Sequence, residues 1–240
     1  MITLTKNEWR FACKKDDETK ENGFAPLGIA DFAGTETYEA IVPGCFEYNL
    51  YRAGLESDPY FSDNIYGFRK YESYHQWYFT SFDSDFTHGV LRFDGIDTVA
   101  DIIVNGKIIG KTDNMFIPHE FEVADLQKNG NELVVHIYPS AIAARDYYVP
   151  AMASALKYAY QALGLRRSPA YCGWDIFPRM ACGGITRGVF LSEYQSEQFV
   201  EYYLYAAKAF DDYAEIYLYY NFTVAAPDLT DYKITVSGKC

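Results

Sequence analysis

Apolar and polar residues alternate with a period of two along much of the chain, which is the pattern of half-buried β-strands. The clearest stretch is 214–224, where six apolar or aromatic residues share one face opposite Glu215 and Asn221. The segment 132–138 alternates too, with three aliphatic residues on one face and Glu132 and His136 on the other. Because Gly, Asn and Asp turns separate such segments, the pattern predicts a mainly β protein built as an antiparallel sandwich.

Local signals add one tight turn and two short helices to this pattern. The dipeptide Asn105-Gly106 follows an alternating segment and predicts a β-hairpin. The segment 46–53 ends at Gly54, a residue suited to a helix C-terminus, and predicts a helix. After Pro150, a 3.6-residue spacing of apolar side chains predicts a second helix up to position 163. We expect both helices to cover a sheet.

The composition changes near 192–198, which predicts a domain boundary. We expect a first domain over residues 1–195 and a second over 198–240, with strands at Phe199–Ala206, 214–224 and Tyr232–Ser237. Three strands are too few to close a sandwich, so we expect the second domain to be truncated. The 214–224 strand then has an exposed edge, which the first domain or a second copy of the chain in a homodimer would cover.

The charge balance restricts the classes of partner. The 240 residues carry 33 acidic and 21 basic side chains, a formal net charge of −12. Such a field repels polyanions, so neither nucleic acid nor an anionic membrane is an expected partner. Neutral sugars are compatible with it. No apolar run approaches the roughly 20 residues needed to span a bilayer.

Cysteine and histidine usage gives no sign of a metal site or a disulfide framework. The five cysteines are widely spaced, form no Cys-x-x-Cys pair and lie far from the four histidines. Charged residues interrupt the first thirty positions, so no secretory signal is expected. We therefore expect reduced thiols in a cytoplasmic protein.

Signatures of cofactor binding and of nucleophilic catalysis are absent from the sequence. There is no phosphate-binding loop, no Gly-x-Ser-x-Gly and no dinucleotide fingerprint, so no cofactor is expected. Asp94 and Asp97 lie in Phe-Asp-Gly-Ile-Asp, a sequence that favours a turn, and we interpret both as turn residues.

The stretch 166–188 has neither strand nor helix periodicity and is rich in glycine, proline and arginine. Long aperiodic loops in compact domains often carry function. Within it, Trp174 could pack against the apolar face of a sugar ring, and Asp175 could accept hydrogen bonds from two hydroxyls. The alternative is a core tryptophan with Asp175 paired to Arg179 or Arg187.

A series of short motifs in a fixed order points to a known family. The motifs are Glu8-Trp9-Arg10-Phe11, Val42-Pro43-Gly44, Asp58-Pro59-Tyr60-Phe61-Ser62-Asp63-Asn64, Trp77-Tyr78, Phe93-Asp94-Gly95-Ile96-Asp97-Thr98, Val104-Asn105-Gly106, Asn114-Met115-Phe116, Gly173-Trp174-Asp175, Pro178-Arg179 and Gly184-Ile185-x-Arg187. Over about residues 1–195 the chain resembles the N-terminal part of family 2 glycoside hydrolases, and within them the β-mannosidase branch. Beyond about 198 it resembles the immunoglobulin-like domain that follows.

The resemblance implies a jelly-roll, galactose-binding-like β-sandwich, then an immunoglobulin-like β-sandwich and a (β/α)₈ catalytic barrel. Such barrels hydrolyse glycosides with retention of configuration, using two glutamates about 5–5.5 Å apart. No barrel follows within the 240 residues, so no catalytic residue is expected in the chain and we expect it to be inactive alone.

The resemblance also implies substrate-binding residues in the wall of the barrel's active site. Trp174 and Asp175 correspond to the family's Trp-Asp pair, Asn64 to an asparagine of the early loop, and Arg166, beside Arg167, to a basic pair.

The chain departs from the mannosidase pattern near these residues, including Gly188 where Pro is usual and Ile65 where an acidic residue is common. Ile176 and Phe177 stand where Trp and Gly are usual, and Thr186 stands where Trp is usual. The sugar (mannose, galactose or glucuronic acid) therefore stays open.

Three hypotheses follow. The leading one is the non-catalytic region of a cytoplasmic, exo-acting β-glycosidase with a carbohydrate substrate. The others are a standalone carbohydrate-binding module and a purely structural brace for the barrel.

Overall fold

A computed structural model describes residues 1–150, 161–173, 175, 177–180 and 183–237. The chain divides into two compact units, Met1–Glu193 and Tyr194–Cys240. The helix predicted after Pro150 falls largely on residues outside the described ones.

The described residues form fourteen strands. They are β1 (Ile2–Thr3), β2 (Trp9–Lys15), β3 (Tyr38–Ala40), β4 (Tyr74–Phe82), β5 (Gly89–Phe93), β6 (Ile96–Asp97), β7 (Ala100–Val104), β8 (Lys107–Thr112), β9 (His119–Val123), β10 (Asn131–Ile137), β11 (Gly184–Ile185), β12 (Val189–Glu193), β13 (Gln198–Ala209) and β14 (Ala214–Thr223).

Helices are short. The α-helices are α1 (Asp16–Glu21), α2 (Phe46–Arg52), α3 (Ser140–Ala143) and α4 (Gln161–Gly164), and the 3-10 helices are Ile29–Phe32, Asn64–Ser73, Ala144–Asp146 and Pro169–Cys172. None of the helices in the described part of the chain is long and apolar enough to cross a membrane.

The first unit is a β-sandwich, which confirms the predicted fold class. A four-stranded sheet (β1-β12-β5-β9) faces a six-stranded sheet (β3-β2-β4-β10-β7-β8). Alternate residues of β5 and β10, among them Leu91, Phe93, Leu133 and Val135, are fully buried in one cluster between the sheets. Burying each such side chain stabilises the fold by roughly 1.5–3 kcal/mol, an upper estimate because unfolded chains are partly compact.

The outer face of the six-stranded sheet is also covered, which the alternation along β10 alone did not indicate. Trp77, Phe79 and Val134 form a second buried cluster there with Phe32. The Phe32 ring stacks on that of Phe79 with centroids 4.4 Å apart, and the Phe24 ring meets Trp77 edge-on at 5.1 Å. The segment between α1 and β3 therefore acts as a lid over this face.

Two local predictions are confirmed by the backbone. Asn105 (φ 49°) and Gly106 (φ 78°) join β7 to β8 with the positive φ angles that a tight hairpin requires. Helix α2 ends with Ala53 as its C-cap, and Gly54 follows at φ 74°, the left-handed conformation that glycine adopts without a Cβ penalty.

The second unit contains a single hairpin of β13 and β14 within its described residues. The strand predicted at Tyr232–Ser237 is wrong, because positions 232–237 have irregular backbone. A strand needs a partner to satisfy its N–H and C=O groups, and the described residues of this unit offer that segment no paired edge. Tyr232 instead bonds through its hydroxyl to Glu197.

Candidate functional site

A cavity of about 240 Å³ opens beside the end of the 166–188 stretch. The start of α2 contributes Cys45 and Glu47 to its wall, and the loop before the long 3-10 helix contributes Tyr60. The 171–186 region supplies its other side, including the rings of Tyr171 and Phe177. Two loops that the motifs singled out separately therefore line one cavity.

Two glycines allow the backbone to close behind this cavity. At Gly183 (φ 150°) a Cβ would lie 2.2 Å from the Asp97 carbonyl oxygen, and at Gly184 (φ 147°) it would lie 2.5 Å from that of Gly44. The amide of Phe46 donates to the Gly183 carbonyl at 2.7 Å, so the start of α2 is tied to the same strand. Larger residues at 183 or 184 would push the cavity wall apart.

A buried ion pair lies in the cavity wall. Asp97 and Arg167 are each 2% exposed, and Arg167 Nη2 donates to Asp97 Oδ2 at 2.7 Å. Burial raises the pKa of the Asp97 carboxyl, and attraction to Arg167 acts in the opposite direction. The Arg167 guanidinium also lies 5.5 Å from the Tyr171 ring centroid. Asp97 thus anchors the 166–188 stretch, and our interpretation of it as a turn residue is wrong.

A second, bidentate ion pair holds the middle of the stretch. Arg179 donates to Glu72 through Nε at 2.6 Å and Nη2 at 2.8 Å. Its Nη1 donates to the Cys172 carbonyl at 3.2 Å. Since Glu72 belongs to the 3-10 helix that begins at Asn64, this pair joins the two loops of the cavity.

The thiols near the cavity are poor nucleophiles at neutral pH. Burial raises the pKa of Cys45 to about 11 and also raises the pKa of Cys172. Since the thiolate is the reactive form, neither side chain is set up for covalent catalysis. No group of three or more His, Cys, Asp or Glu side chains within the described residues could hold a metal ion.

Asp175 lies in a turn and is exposed. No ion pair within the described part of the chain joins it to Arg179 or Arg187, and the carboxylate partner of Arg179 is Glu72. The alternative of a buried Asp175 paired with arginine therefore does not describe this structure. Trp174 lies outside the described residues.

The other two predicted site residues, Asn64 and Arg166, make hydrogen bonds that hold the backbone of their loops. Asn64 is half-buried, and its side-chain amide donates to the Asp58 carbonyl at 3.0 Å, which closes the 58–64 loop. Arg166 is exposed, while its carbonyl accepts from the Met115 amide at 3.0 Å. Neither side chain lines the cavity, and nor does Asp175.

Three wall residues were not predicted as site residues from the sequence, namely Glu47, Asp97 and Phe177. Glu47 is 2% exposed and sits on the first turn of α2. Phe177 was noted as a departure from the family pattern, and its ring packs 6.3 Å from that of Tyr171. Hydrophobic periodicity along the sequence could not have identified these three residues, because each comes from a different element and they meet only in the folded chain.

This combination of carboxylates and aromatic rings suits hydroxyl-rich ligands. Carboxylates accept charge-assisted hydrogen bonds, each worth about 1.5–3 kcal/mol when desolvated. Aromatic faces pack against the C–H groups of a sugar ring. A small concave site with a few convergent polar groups is the common form of a ligand pocket.

Comparison with known proteins gives a family match over most of the chain. Residues 9–187 match the model described as the glycosyl hydrolase 2 galactose-binding domain-like domain. The matched region begins at β2 and ends two residues before β12, so it includes both loops of the cavity.

Similar proteins are much longer than this chain. Over 182 residues the chain is 31% identical to a β-mannosidase of Mus musculus, covering 69% of this chain and 20% of that protein. A solved β-D-mannosidase from Dictyoglomus thermophilum is 28% identical with a TM-score of 0.75, covering 93% of this chain and 26% of the other. A β-glucuronidase from Ruminococcus gnavus shares the fold, with a TM-score of 0.59 at 19% identity, over 92% and 32% of the two chains.

Proposed function

The chain belongs to the glycosyl hydrolase 2 galactose-binding domain-like family, and from this premise we propose that it is the N-terminal, non-catalytic region of an exo-acting, retaining β-glycosidase similar to β-mannosidases. Its role is to supply part of the wall of a substrate site whose two catalytic glutamates belong to a barrel outside these 240 residues. The free thiols of Cys13, Cys45 and Cys172 suit a cytoplasmic enzyme.

The observation that carries this proposal is the cavity itself. Two buried carboxylates, Glu47 and Asp97, share its wall with the rings of Tyr60, Tyr171 and Phe177. Asp97 in this wall is already paired with Arg167 at 2.7 Å, and burial raises the pKa of the Cys45 thiol to about 11, so we assign this wall to binding and not to bond cleavage.

Asp175, which does not line the cavity, is the residue that we propose contacts the sugar directly. Its carboxylate is exposed, and the described residues provide no arginine partner that would neutralise it. The Arg179–Glu72 pair holds the chain four residues further on. A carboxylate on a braced loop can accept hydrogen bonds from a ligand without refolding, which favours substrate contact over a purely structural role.

The identity of the sugar depends on the cavity wall. Phe177 and Thr186 both line it, and both differ from the usual β-mannosidase pattern. We therefore propose a β-glycoside substrate and leave the choice between mannose, galactose and glucuronic acid to kinetic comparison of the three nitrophenyl glycosides.

Substitution of Asp175 in the longer protein that contains this chain tests the proposal. Asp175→Ala should lower kcat/KM by roughly 10- to 150-fold, the equivalent of about 1.5–3 kcal/mol of lost hydrogen bonding in the transition state. The melting temperature should change little, because the side chain is exposed. The 240-residue chain alone should not hydrolyse any of the three glycosides.

A matched control is Asp85→Ala, another exposed aspartate. It lies in the loop after β4, at the end of the sandwich where Phe82 pairs with Asn131, whereas Asp97 lies near the opposite end of β10. It should leave kcat/KM unchanged. A large loss of stability in Asp175→Ala with unchanged kcat/KM in the folded enzyme would favour the structural role instead.

A further inference from the structure

The hairpin of the second unit has two faces of different chemistry. The strand register places Tyr203 opposite Tyr219 and Tyr205 opposite Tyr217. Because side chains alternate along a strand, these four rings share one face with Glu201, Lys208, Glu215 and Asn221. We call this set the tyrosine face. The opposite face carries Tyr202, Leu204, Ala206, Ile216, Leu218 and Tyr220.

The rings of the tyrosine face form a continuous row. The centroids of Tyr203 and Tyr205 are 5.6 Å apart, and those of Tyr205 and Tyr217 are 5.7 Å apart with their planes at 20°. Tyr219 joins the row 6.3 Å from Tyr205 with planes at 10°. Tyr203 and Tyr219 are each 63% exposed. Contacts with Tyr205 thus order the rings and still leave most of Tyr203 and Tyr219 exposed to solvent.

One end of the row is concave. A cavity of about 430 Å³ is lined there by Glu201, Tyr203, Tyr219 and Asn221 of the tyrosine face, and Tyr220 of the opposite face also borders it. Glu201 and Asn221 lie opposite each other across the hairpin. A carboxylate and a primary amide therefore lie beside two exposed rings. At the other end Lys208 pairs with Glu215 at 3.5 Å, so those charges are already compensated.

Aromatic rows can bind several classes of ligand, and the Glu201 carboxylate and the Asn221 amide at the concave end favour one class over the others. A proline-rich peptide lacks most N–H donors, so it would leave the Glu201 carboxylate desolvated and unpaired. An anionic ligand would meet both Glu201 and a chain of net charge −12. A neutral sugar donates hydroxyl protons to the carboxylate, accepts from the Asn221 amide and packs its C–H groups against the rings.

We propose that the tyrosine face is a carbohydrate-binding site for a neutral oligosaccharide, centred on Tyr203, Tyr219, Glu201 and Asn221. It lies in the second unit and does not depend on the function proposed for the cavity of the first unit. A chain with this site could hold a polymeric or oligomeric sugar without hydrolysing it.

The test is calorimetric titration of the 240-residue chain with two neutral probes, mannohexaose and cellohexaose. At least one should bind saturably, and hydrogen exchange should slow within residues 198–223 when it does. Tyr203→Ala and Tyr219→Ala should each weaken binding about tenfold, the effect of losing one aromatic contact. Glu201→Ala should weaken binding as well. Because Glu201 is exposed, this variant still tests the proposal if a tyrosine variant fails to form the hairpin.

Tyr202→Ala is the matched control, because Tyr202 is an exposed tyrosine of the same strand on the opposite face. It should bind as the unchanged chain does. The proposal is overturned if neither hexasaccharide binds, if Tyr202→Ala weakens binding as much as Tyr203→Ala, or if poly-L-proline binds the tyrosine face and the saccharides do not.

Discussion

At the scale of single residues, two adjacent arginines have opposite environments. Arg166 is exposed, whereas Arg167 is 2% exposed and paired with Asp97 at 2.7 Å. The family resemblance implied Arg166, beside Arg167, as a site residue. The sequence could not have selected between the two, because the 166–188 stretch has no period from which burial could be deduced.

The two arginines should therefore differ in their effect on stability. Arg167→Met leaves the Asp97 carboxylate buried without its partner and should lower the free energy of unfolding by about 3–5 kcal/mol. Arg166→Met should change it by less than about 0.5 kcal/mol, as is usual for exposed positions. Urea unfolding of both variants measures this. Equal losses in the two would contradict the assigned roles.

A pair of histidines on the outer face of the six-stranded sheet responds to pH. His75 Nδ1 and His136 Nε2 share a hydrogen bond of 2.8 Å, and the other nitrogen of His75 contacts Asp16 at 3.1 Å. The His136 ring stacks on Trp77 with centroids 4.6 Å apart. Burial lowers the pKa of His136 to about 3, and burial also lowers the pKa of His75. The folded protein therefore holds both rings neutral.

Folding stability should consequently fall with pH below neutrality. The unfolded chain takes up protons on these histidines near the ordinary value of 6.5, while folded His136 resists protonation down to about 3. The stability contributed by the neutral ring is complete above pH 6.5 and is lost between there and pH 3. Between pH 7 and 5 the loss from His136 alone should be about 2 kcal/mol.

His136→Phe keeps a ring over Trp77 and removes the titrating group, so its stability should depend less on pH over this range. Urea unfolding at pH 7, 6 and 5 compares the two proteins. Identical pH slopes in the variant and the unchanged chain would show that His136 is not responsible.

At the scale of elements, strands were predictable where apolar and polar residues alternate and the apolar residues face the interior of the sandwich. β5, β10 and the β7–β8 hairpin follow directly from the positions of Leu91, Leu133 and Asn105-Gly106. Alternation failed at 232–237, where the sequence alternates and the structure offers no partner strand. It also missed the lid over Val134, because a residue distant in sequence, Phe32, provides the cover. Local patterns carry no information about such contacts.

The Glu72–Arg179 ion pair joins the two loops of the candidate site, so their coupling can be measured. Glu72 and Arg179 have side chains 19% and 7% exposed and form a bidentate contact. In a double-mutant cycle with Glu72→Ala and Arg179→Ala, the coupling free energy should be about 1–3 kcal/mol. Arg179→Lys should recover only part of it, since lysine cannot make the forked contact. A coupling near zero would mean that the loops are positioned independently.

At the scale of the whole molecule, the chain combines a matched family domain with a separate strand hairpin. The family was predictable because its motifs follow one another in order along residues 1–195. The cavity was not, because Glu47, Asp97 and Phe177 come from three distant segments and meet only in the folded sandwich. The sequence motifs lie on the two loops that line the cavity, and the structure shows which side chains of those loops form its wall.

The central claim is that Asp175 and the wall of the cavity both contact the sugar of a β-glycoside. The most direct test is a crystal structure of the longer protein with a bound monosaccharide-like inhibitor. The inhibitor is chosen from mannose-, galactose- and glucuronate-configured compounds as the one that competes best with the substrate. We predict a hydroxyl of the bound sugar at about 2.5–3.2 Å from an Asp175 carboxylate oxygen. A sugar bound in the catalytic barrel without contact to any atom of residues 171–186 would contradict the claim.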